Sequence, residues 1–163
     1  MPQHHYAETI EGLPTREQML SMSGLDFMLA MKAGKISRPP ISALMAYSLD
    51  EVEDGRVVFR GKPEFQHTNP ASGVHGGWYG TLLDSCMSCA VMTKTPKGSV
   101  YTTLEYKVNL TGAIPVGAEI LATGVTDHVG RSTGVAHGEI RDAASGKLYA
   151  TGSATCLIMK IRD

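Results

Sequence analysis

One segment of small and apolar residues, running from His75 to about Lys94, is long enough to form a helix at the centre of a domain. Four β-rich runs follow it, separated by turn residues; they cover residues 99–110, 118–129, 131–142 and 147–161. Links this short join antiparallel neighbours, because parallel strands need a long crossover connection. The sequence therefore predicts an α+β fold in which an antiparallel β-sheet packs on one long helix.

The segment before residue 41 is rich in methionine and ends in two prolines. Thr15, with Gln18 three residues later, forms a capping box, and the apolar residues after it recur at helical spacing, which predicts an amphipathic helix. The pair Pro39-Pro40 then breaks the helical pattern, because each ring removes a backbone donor and restricts the residue before it. We therefore expect an N-terminal helical extension over residues 1–40 and a single domain over residues 41–163.

A β-hairpin is predicted at the start of the domain. Residues 41–49 and 56–60 have the composition of strands, and an acidic turn over residues 50–55 joins them. The long loop that follows leads to the start of the central helix, where two glycines are adjacent in the sequence.

The composition excludes several classes of partner. The formal net charge is −1, with 15 Lys and Arg against 16 Asp and Glu, so no overall field attracts nucleic acid or an anionic membrane. No run approaches the roughly 18 to 20 apolar residues of a membrane span, and residues 1–6 show no signal-peptide pattern. Three cysteines fit reduced thiols better than a disulfide framework. We therefore expect a cytoplasmic protein with no nucleic-acid or membrane partner.

Two features of the central helix lower its stability and need a physical reason. Gly76 and Gly77 weaken the helix start but let another group approach the backbone closely. Unpaired N–H groups at a helix start can stabilise a negatively charged oxygen, helped by the helix dipole. Asp84 lies among apolar residues, where a carboxylate is at risk of burial. Together these features indicate a site for chemistry.

Three elements occur together around this helix start: the run His67-Thr68-Asn69-Pro70, the run Gly73-Val74-His75-Gly76-Gly77, and Asp84, eight residues after Gly76. In this combination they resemble the signature of the hotdog-fold thioesterases, most closely that of the phenylacetate-pathway (PaaI-like) branch. The similarity covers residues 41–160. It implies a sheet wrapped around the central helix, hydrolysis of an acyl-CoA thioester to the free acid and CoA, and no metal or cofactor.

The resemblance also implies a role for each residue of the motif. At about 1.5 Å per residue, Asp84 lies roughly 12 Å along the helix from Gly76, and the family resolves this separation by pairing subunits. A homodimer is then the minimal active unit, and a homotetramer is built from two dimers. The Gly76 N–H of one chain faces Asp84 of the other. In this arrangement Asp84 acts as nucleophile or general base, Asn69 orients water or the thioester, and His75 fixes the loop or the acyl group.

A hydroxyl group is expected to support the carboxylate. Ser88 lies one helical turn past Asp84 and therefore on the same face, where it can hydrogen-bond to the carboxylate or to water. Thr102 and Thr103, early in the strand after the helix, are rivals for this position.

Substrate contacts are assigned to two regions of the sequence. Gly77 lies beside the oxygen-binding helix start, and Thr102 follows the helix. His128, Arg131 and Ser132 surround a turn between two predicted strands, where a cation can bind the phosphates of CoA.

Structural roles compete with catalytic ones for several of these residues. Asp84 taken alone is equally consistent with a structural carboxylate that neighbouring groups satisfy. The run Cys86-Met87-Ser88-Cys89 has the Cys-x-x-Cys form, but it lacks a second pair and lies in the middle of a helix, which favours buried small side chains over a metal or redox site.

Two other functions are possible on the same fold. One is a non-catalytic acyl-CoA-binding hotdog protein, and the other is a hydratase or dehydratase of acyl thioesters. The latter needs a histidine beside the carboxylate, and no Asp-x₄-His arrangement occurs around Asp84. Hydrolysis of the thioester is therefore the leading hypothesis.

Overall fold

A six-stranded antiparallel sheet packs against one long helix in the computed structural model, which describes residues 5–161. The helices are α1 (Arg16–Leu20), α2 (Gly24–Lys32), α3 (Pro40–Leu44) and α4 (Gly76–Thr93), and the strands are β1 (Tyr47–Glu53), β2 (Arg56–Gly61), β3 (Ser99–Leu110), β4 (Ile120–Val129), β5 (Thr133–Asp142) and β6 (Leu148–Lys160). The strand order is β1-β2-β4-β5-β6-β3, and all neighbouring pairs are antiparallel. The predicted central helix and the four predicted strands after it are confirmed, each to within two residues at either end.

The long helix α4 lies against the sheet and supplies much of the core. Its large, fully buried side chains are Trp78, Leu82, Leu83, Cys86, Met87 and Val91. Strand β4 lies so close to the helix backbone that a Cβ at Gly124 would be only 2.2 Å from the carbonyl oxygen of Cys86. Within the described residues 5–161, no helix is both long enough and apolar enough to cross a membrane.

The N-terminal extension forms two helices in place of the single helix that the sequence predicts. The capping box of Thr15 and Gln18 is confirmed at the start of α1, but this helix ends at Leu20. A second N-cap then starts α2, because the Oγ of Ser23 accepts a hydrogen bond from the backbone N–H of Asp26 at 3.1 Å. The break between α1 and α2 is therefore set by a local capping residue that the apolar periodicity does not reveal.

Helix α2 packs directly on α4. A Cβ at Gly24 would lie 1.8 Å from the carbonyl oxygen of Met92, and the backbone N–H of Gly24 donates to the carbonyl of Thr95 at 2.9 Å. Phe27 and Met28 are only 4% and 1% exposed and belong to the same core cluster as the sheet residues. The extension therefore shares its core with the sheet.

The predicted strand over residues 41–49 is wrong in its first half. Residues 40–44 form helix α3, and strand β1 begins only at Tyr47. Pro40 occupies the first helical position, where its missing N–H is tolerated and its fixed φ suits a helix. The predicted hairpin between β1 and β2 is confirmed, and Gly55 provides the positive φ of +83° at its turn.

Strand β3 forms one edge of the sheet and contains a bulge. Thr103 pairs with Cys156, and Glu105 pairs with the next residue of β6, so Leu104 is the extra residue. The bulge reverses the alternation of side chains along the strand. Before it Thr103 points toward α4; after it Tyr106 and Leu110 do so, lying beside Gly80 and Gly76 of the helix, respectively.

Candidate active site

The first turn of α4 contains a backbone N–H group that is free to bind a ligand. His75 is the N-cap residue, and its Nδ1 accepts a hydrogen bond from the Gly77 N–H at 2.9 Å. The Trp78 N–H donates to the carbonyl of His75, also at 2.9 Å. Gly76 is exposed, and its N–H has no hydrogen-bond partner within residues 5–161. The predicted oxyanion donor is therefore unpaired, whereas the N–H of Gly77 is used inside the chain.

The loop before α4 is held by Asn69 and His67. The Oδ1 of Asn69 accepts hydrogen bonds from the backbone N–H groups of Ala71 at 2.9 Å and Gly73 at 3.2 Å. His67 is buried; its Nδ1 accepts from the Glu64 N–H, which leaves Nε2 to donate to a backbone carbonyl of α3. The Oδ1 atom of Asn69 therefore holds the loop before α4.

The carboxylate of Asp84 is held by a hydroxyl from the edge strand. The Oγ1 of Thr103 donates a hydrogen bond to Asp84 Oδ1 at 2.9 Å, and Asp84 is half-buried. The hydroxyl of Ser88 is buried and lies on the same face of α4, but in the described structure the hydrogen bond to Asp84 comes from Thr103. Thr102 is exposed, because alternation along β3 turns it away from the helix. The supporting hydroxyl is therefore that of Thr103, in place of Ser88 and Thr102.

A cavity of about 290 Å³ lies beside Asp84, between α4, strand β1 and the N-terminal helices. Its wall is mostly apolar and includes Met19, Phe27, Met28, Met31, Leu49, Phe59 and Met92. Polar groups of Tyr47, Asp84, Ser85 and Ser88 also line it, and the hydroxyl groups of Tyr47 and Ser85 lie 2.9 Å apart. Burial raises the pKa of the Tyr47 hydroxyl. The cavity has the character of a site for an apolar chain that ends near a carboxylate.

Both thiols of the Cys-x-x-Cys run lie where burial disfavours the thiolate. Cys86 is fully buried in the core, and Cys89 lies on the cavity wall. Burial raises the pKa of the Cys89 thiol to about 12, so the thiolate needed for metal or redox chemistry is disfavoured at neutral pH. Within residues 5–161, no group of three or more His, Cys, Asp and Glu side chains is placed to hold a metal ion.

The residues predicted to contact CoA lie around the β4–β5 turn. His128, Arg131 and Ser132 are all exposed there. Thr133, at the start of β5, pairs with Leu157 of β6, which in turn pairs with Thr102 of β3. The turn and Thr102 therefore lie at the same end of the sheet, with strand β6 between them.

Within one chain, these residues form two separate half-sites. Asn69, His75 and Gly76 gather at the start of α4, whereas Asp84 and Thr103 lie further along it. Eight residues of helix separate Gly76 from Asp84, or roughly 12 Å at about 1.5 Å per residue. Within one chain, the free N–H and the carboxylate therefore lie at separate positions along α4.

Comparison with known proteins shows similarity over this region. The sequence profile described as the Thioesterase superfamily matches residues 72–149. Acyl-coenzyme A thioesterase 13 of Mus musculus is 29% identical over 100 residues, which are 61% of this chain and 71% of the mouse protein.

Solved structures show the same fold. A phenylacetic acid degradation-related protein of Ralstonia eutropha JMP134 superposes with a TM-score of 0.73 at 22% identity, covering 80% of this chain and 98% of its own. A protein described as a hypothetical thioesterase of Streptococcus pneumoniae TIGR4, solved with coenzyme A, has a TM-score of 0.66 at 26% identity, covering 76% and 93%. The predicted α+β hotdog fold and the predicted resemblance to thioesterases are confirmed.

Proposed function

We propose that this chain, which is similar to the thioesterase superfamily over residues 72–149 and has the hotdog fold, hydrolyses an acyl-CoA thioester in composite sites formed by two copies of itself. The observation that carries this proposal is the pair of half-sites on α4. One half-site has an unpaired N–H at Gly76, and the other has a carboxylate, Asp84, held by Thr103 beside an apolar cavity. One half-site supplies the donor for the carbonyl oxygen, and the other supplies the carboxylate.

The first half-site provides the oxyanion donor. Attack on a thioester places negative charge on the carbonyl oxygen, and the Gly76 N–H is exposed at the positive end of the α4 dipole. The His75 side chain holds the neighbouring N–H of Gly77, so the first turn is already in its helical geometry. The donor therefore needs little reorganisation when charge develops on the oxygen.

The second half-site provides the attacking group. The Asp84 carboxylate either attacks the carbonyl carbon, expelling the CoA thiolate and forming a mixed anhydride that water then hydrolyses, or removes a proton from the water that attacks. Both routes yield the free acid and CoA. Thr103 restricts the rotation of the carboxylate, because its hydroxyl donates to one of the two oxygens and leaves the other for the reaction.

Pairing through the β3 edge brings the two halves together in this proposal. The exposed apolar residues of the edge are Leu104, Tyr106 and Leu110, which are 57%, 46% and 53% exposed. Leu110 lies beside Gly76 and Tyr106 beside Gly80, so the edge runs along the first half of α4. A second copy that covers this edge by a two-fold axis brings its own Asp84 toward Gly76. We infer a homodimer, with a homotetramer as the larger assembly.

The remaining parts of the substrate have separate sites. The acyl chain enters the cavity beside Asp84, and the CoA phosphates bind at His128, Arg131 and Ser132. Arg131 is exposed and has no ion-pair partner within the described residues, so its charge is available. We also propose a cytoplasmic location, which the three free cysteines favour.

A thiol-release assay on a panel of acyl-CoA thioesters tests this function. We expect free CoA thiol from at least one member of a panel of aromatic, short, medium and dicarboxylic acyl groups. The Asp84→Asn variant is the matched control for contaminating esterases. A protein that binds a thioester stoichiometrically, without releasing thiol from any member, would be an acyl-CoA-binding module and would contradict the proposal.

A further inference from the structure

The cavity beside Asp84 contains a buried cation that the proposed chemistry does not use. Arg38 lines the cavity and is only 4% exposed. Its Nη1 atom is buried without a hydrogen-bond partner, and within residues 5–161 its side chain makes neither a hydrogen bond nor an ion pair. The backbone at this position is fixed, since Arg38 N–H donates to the carbonyl of His5 and its carbonyl accepts from Ala7 N–H, both at 2.9 Å.

A guanidinium group in this setting is unusual. It stays charged at all physiological pH values, and buried charges in proteins are nearly always paired. Among residues 5–161, the charged residues that line the cavity are Arg38 and Asp84, and no ion pair forms between them. The cavity therefore has a carboxylate where the thioester is proposed to react and an unpaired cation elsewhere on its wall.

We propose that the acyl group of the substrate carries a second carboxylate, which pairs with Arg38. This inference rests on the proposed thioester hydrolysis and names its substrate class: ω-carboxyacyl-CoA thioesters, the half-thioesters of dicarboxylic acids. A carboxylate fits better than a hydroxyl or carbonyl group, because it alone neutralises the buried charge. It also matches the guanidinium in a bidentate geometry.

The size and lining of the cavity are consistent with this class. A cavity of about 150 Å³ holds benzene, so the 290 Å³ here accepts an acyl group of roughly six to twelve non-hydrogen atoms. The methionine and phenylalanine side chains of the wall suit the methylene groups between the two carboxyl ends. An acyl chain without the second carboxylate leaves the guanidinium unpaired, so the site discriminates against it.

Matched substrate pairs test the proposal. We compare kcat/KM for hexanedioyl-CoA against hexanoyl-CoA, and for octanedioyl-CoA against octanoyl-CoA. Wild-type protein should prefer the carboxylated member at least tenfold in one pair. Arg38→Met should reduce that preference ratio to one or below. Arg38→Lys keeps the charge but not the planar guanidinium, so its preference ratio should lie between those of the wild type and Arg38→Met. A wild-type ratio near one, or a ratio that Arg38→Met leaves unchanged, overturns the proposal.

Thermal melting with the free acids gives a readout that does not need catalysis. Adipate should raise the Tm of the wild-type protein more than hexanoate does, and Arg38→Met should lose this difference. Without ligand, Arg38→Met should melt at the wild-type temperature or above, because it removes an unpaired buried charge. A lower Tm without ligand, together with no adipate effect on the wild type, identifies Arg38 as a structural residue and overturns the proposal.

The two proposals fail in different ways. If no thioester releases thiol but adipate still stabilises the wild type and not Arg38→Met, the dicarboxylate site stands and the hydrolase function fails. If thioesters are hydrolysed without preference for the carboxylated members, the hydrolase function stands and the role of Arg38 fails.

Discussion

At the level of single residues, the proposed chemistry depends on one backbone N–H and one carboxylate. Gly76 supplies the first from an exposed helix start, and Asp84 supplies the second from the middle of the same helix. Each of these groups has a neighbour held by a hydrogen bond. The Thr103 hydroxyl donates to the Asp84 carboxylate, and the His75 side chain accepts from the N–H of Gly77, which follows Gly76.

Proline at position 76 removes the proposed oxyanion donor with little change to the helix. Proline is tolerated at the first helical position, and His75 already has the extended geometry (φ −63°, ψ 138°) that a residue before proline needs. We expect Gly76→Pro to lower kcat by about 10²- to 10³-fold. Gly76→Ala keeps the N–H and its Cβ meets only the end of the Leu110 side chain, at 3.3 Å, so any loss in this variant measures how closely the substrate approaches the backbone. Turnover of Gly76→Pro as high as that of the wild type, measured by thiol release, would remove the N–H from the mechanism.

Substitutions at Asp84 and Thr103 separate the reacting group from its support. Asp84→Asn should lower kcat at least about a hundredfold, as expected for loss of a general base or nucleophile. Thr103→Val removes the hydrogen bond to the carboxylate and should give a smaller loss, which Thr103→Ser should largely restore. If Thr103→Val matched wild type while Ser88→Ala was impaired, the supporting hydroxyl would be that of Ser88.

The cysteines should be unreactive in the folded protein. Because burial raises the pKa of Cys89 to about 12 and also raises those of Cys86 and Cys156, all three thiols stay protonated at pH 8, and reactivity should appear only as the pH rises far above it. Iodoacetamide at pH 8 followed by mass spectrometry should show almost no labelling of native protein and three labels in urea. Rapid labelling of native Cys89 would revive the Cys-x-x-Cys hypothesis.

At the level of secondary-structure elements, the position of α4 depends on two close approaches. Gly24 lets α2 contact the end of the helix, and Gly124 lets β4 contact its middle. Both glycines are sites where a side chain would meet backbone atoms, which cannot rotate away as a flexible side chain can.

Alanine at position 124 should therefore destabilise the fold. Its Cβ would lie 2.2 Å from the Cys86 carbonyl oxygen, so β4 and α4 must separate. We expect Gly124→Ala to lower the free energy of unfolding by about 1 to 3 kcal/mol or more. Gly12→Ala is the control, since its Cβ would have only ordinary contacts, the nearest at 3.6 Å. A urea midpoint for Gly124→Ala as high as that of Gly12→Ala would show that β4 and α4 are less tightly packed than the structure indicates.

The sequence predicts these elements well where local patterns decide the structure. The four strands after the central helix are bounded by turn residues, and the helix by the glycine pair and residues 94–98. The prediction from sequence fails over residues 41–46, where two prolines start a short helix before strand β1. The choice of Thr103 over Thr102 follows from strand facing, which tertiary packing sets. No local pattern places Arg38 in a cavity, because that depends on long-range contacts.

At the level of the whole molecule, the half-sites of one chain are incomplete. The distance between Gly76 and Asp84 and the exposed apolar β3 edge both follow from the fold of the single chain, and a two-fold dimer accounts for both. The sequence resemblance predicts this pairing of two chains, whereas composition and periodicity alone do not predict it.

Complementation between two inactive variants tests the shared site most directly. Chains carrying Asp84→Asn and chains carrying Gly76→Pro are co-expressed with different affinity tags, and the mixed dimer is purified through both. A shared site predicts one intact pair of Gly76 and Asp84 per mixed dimer, and hence about half of the wild-type turnover. Turnover no higher than that of the two variant homodimers would show that each site lies within one chain, and would contradict the account.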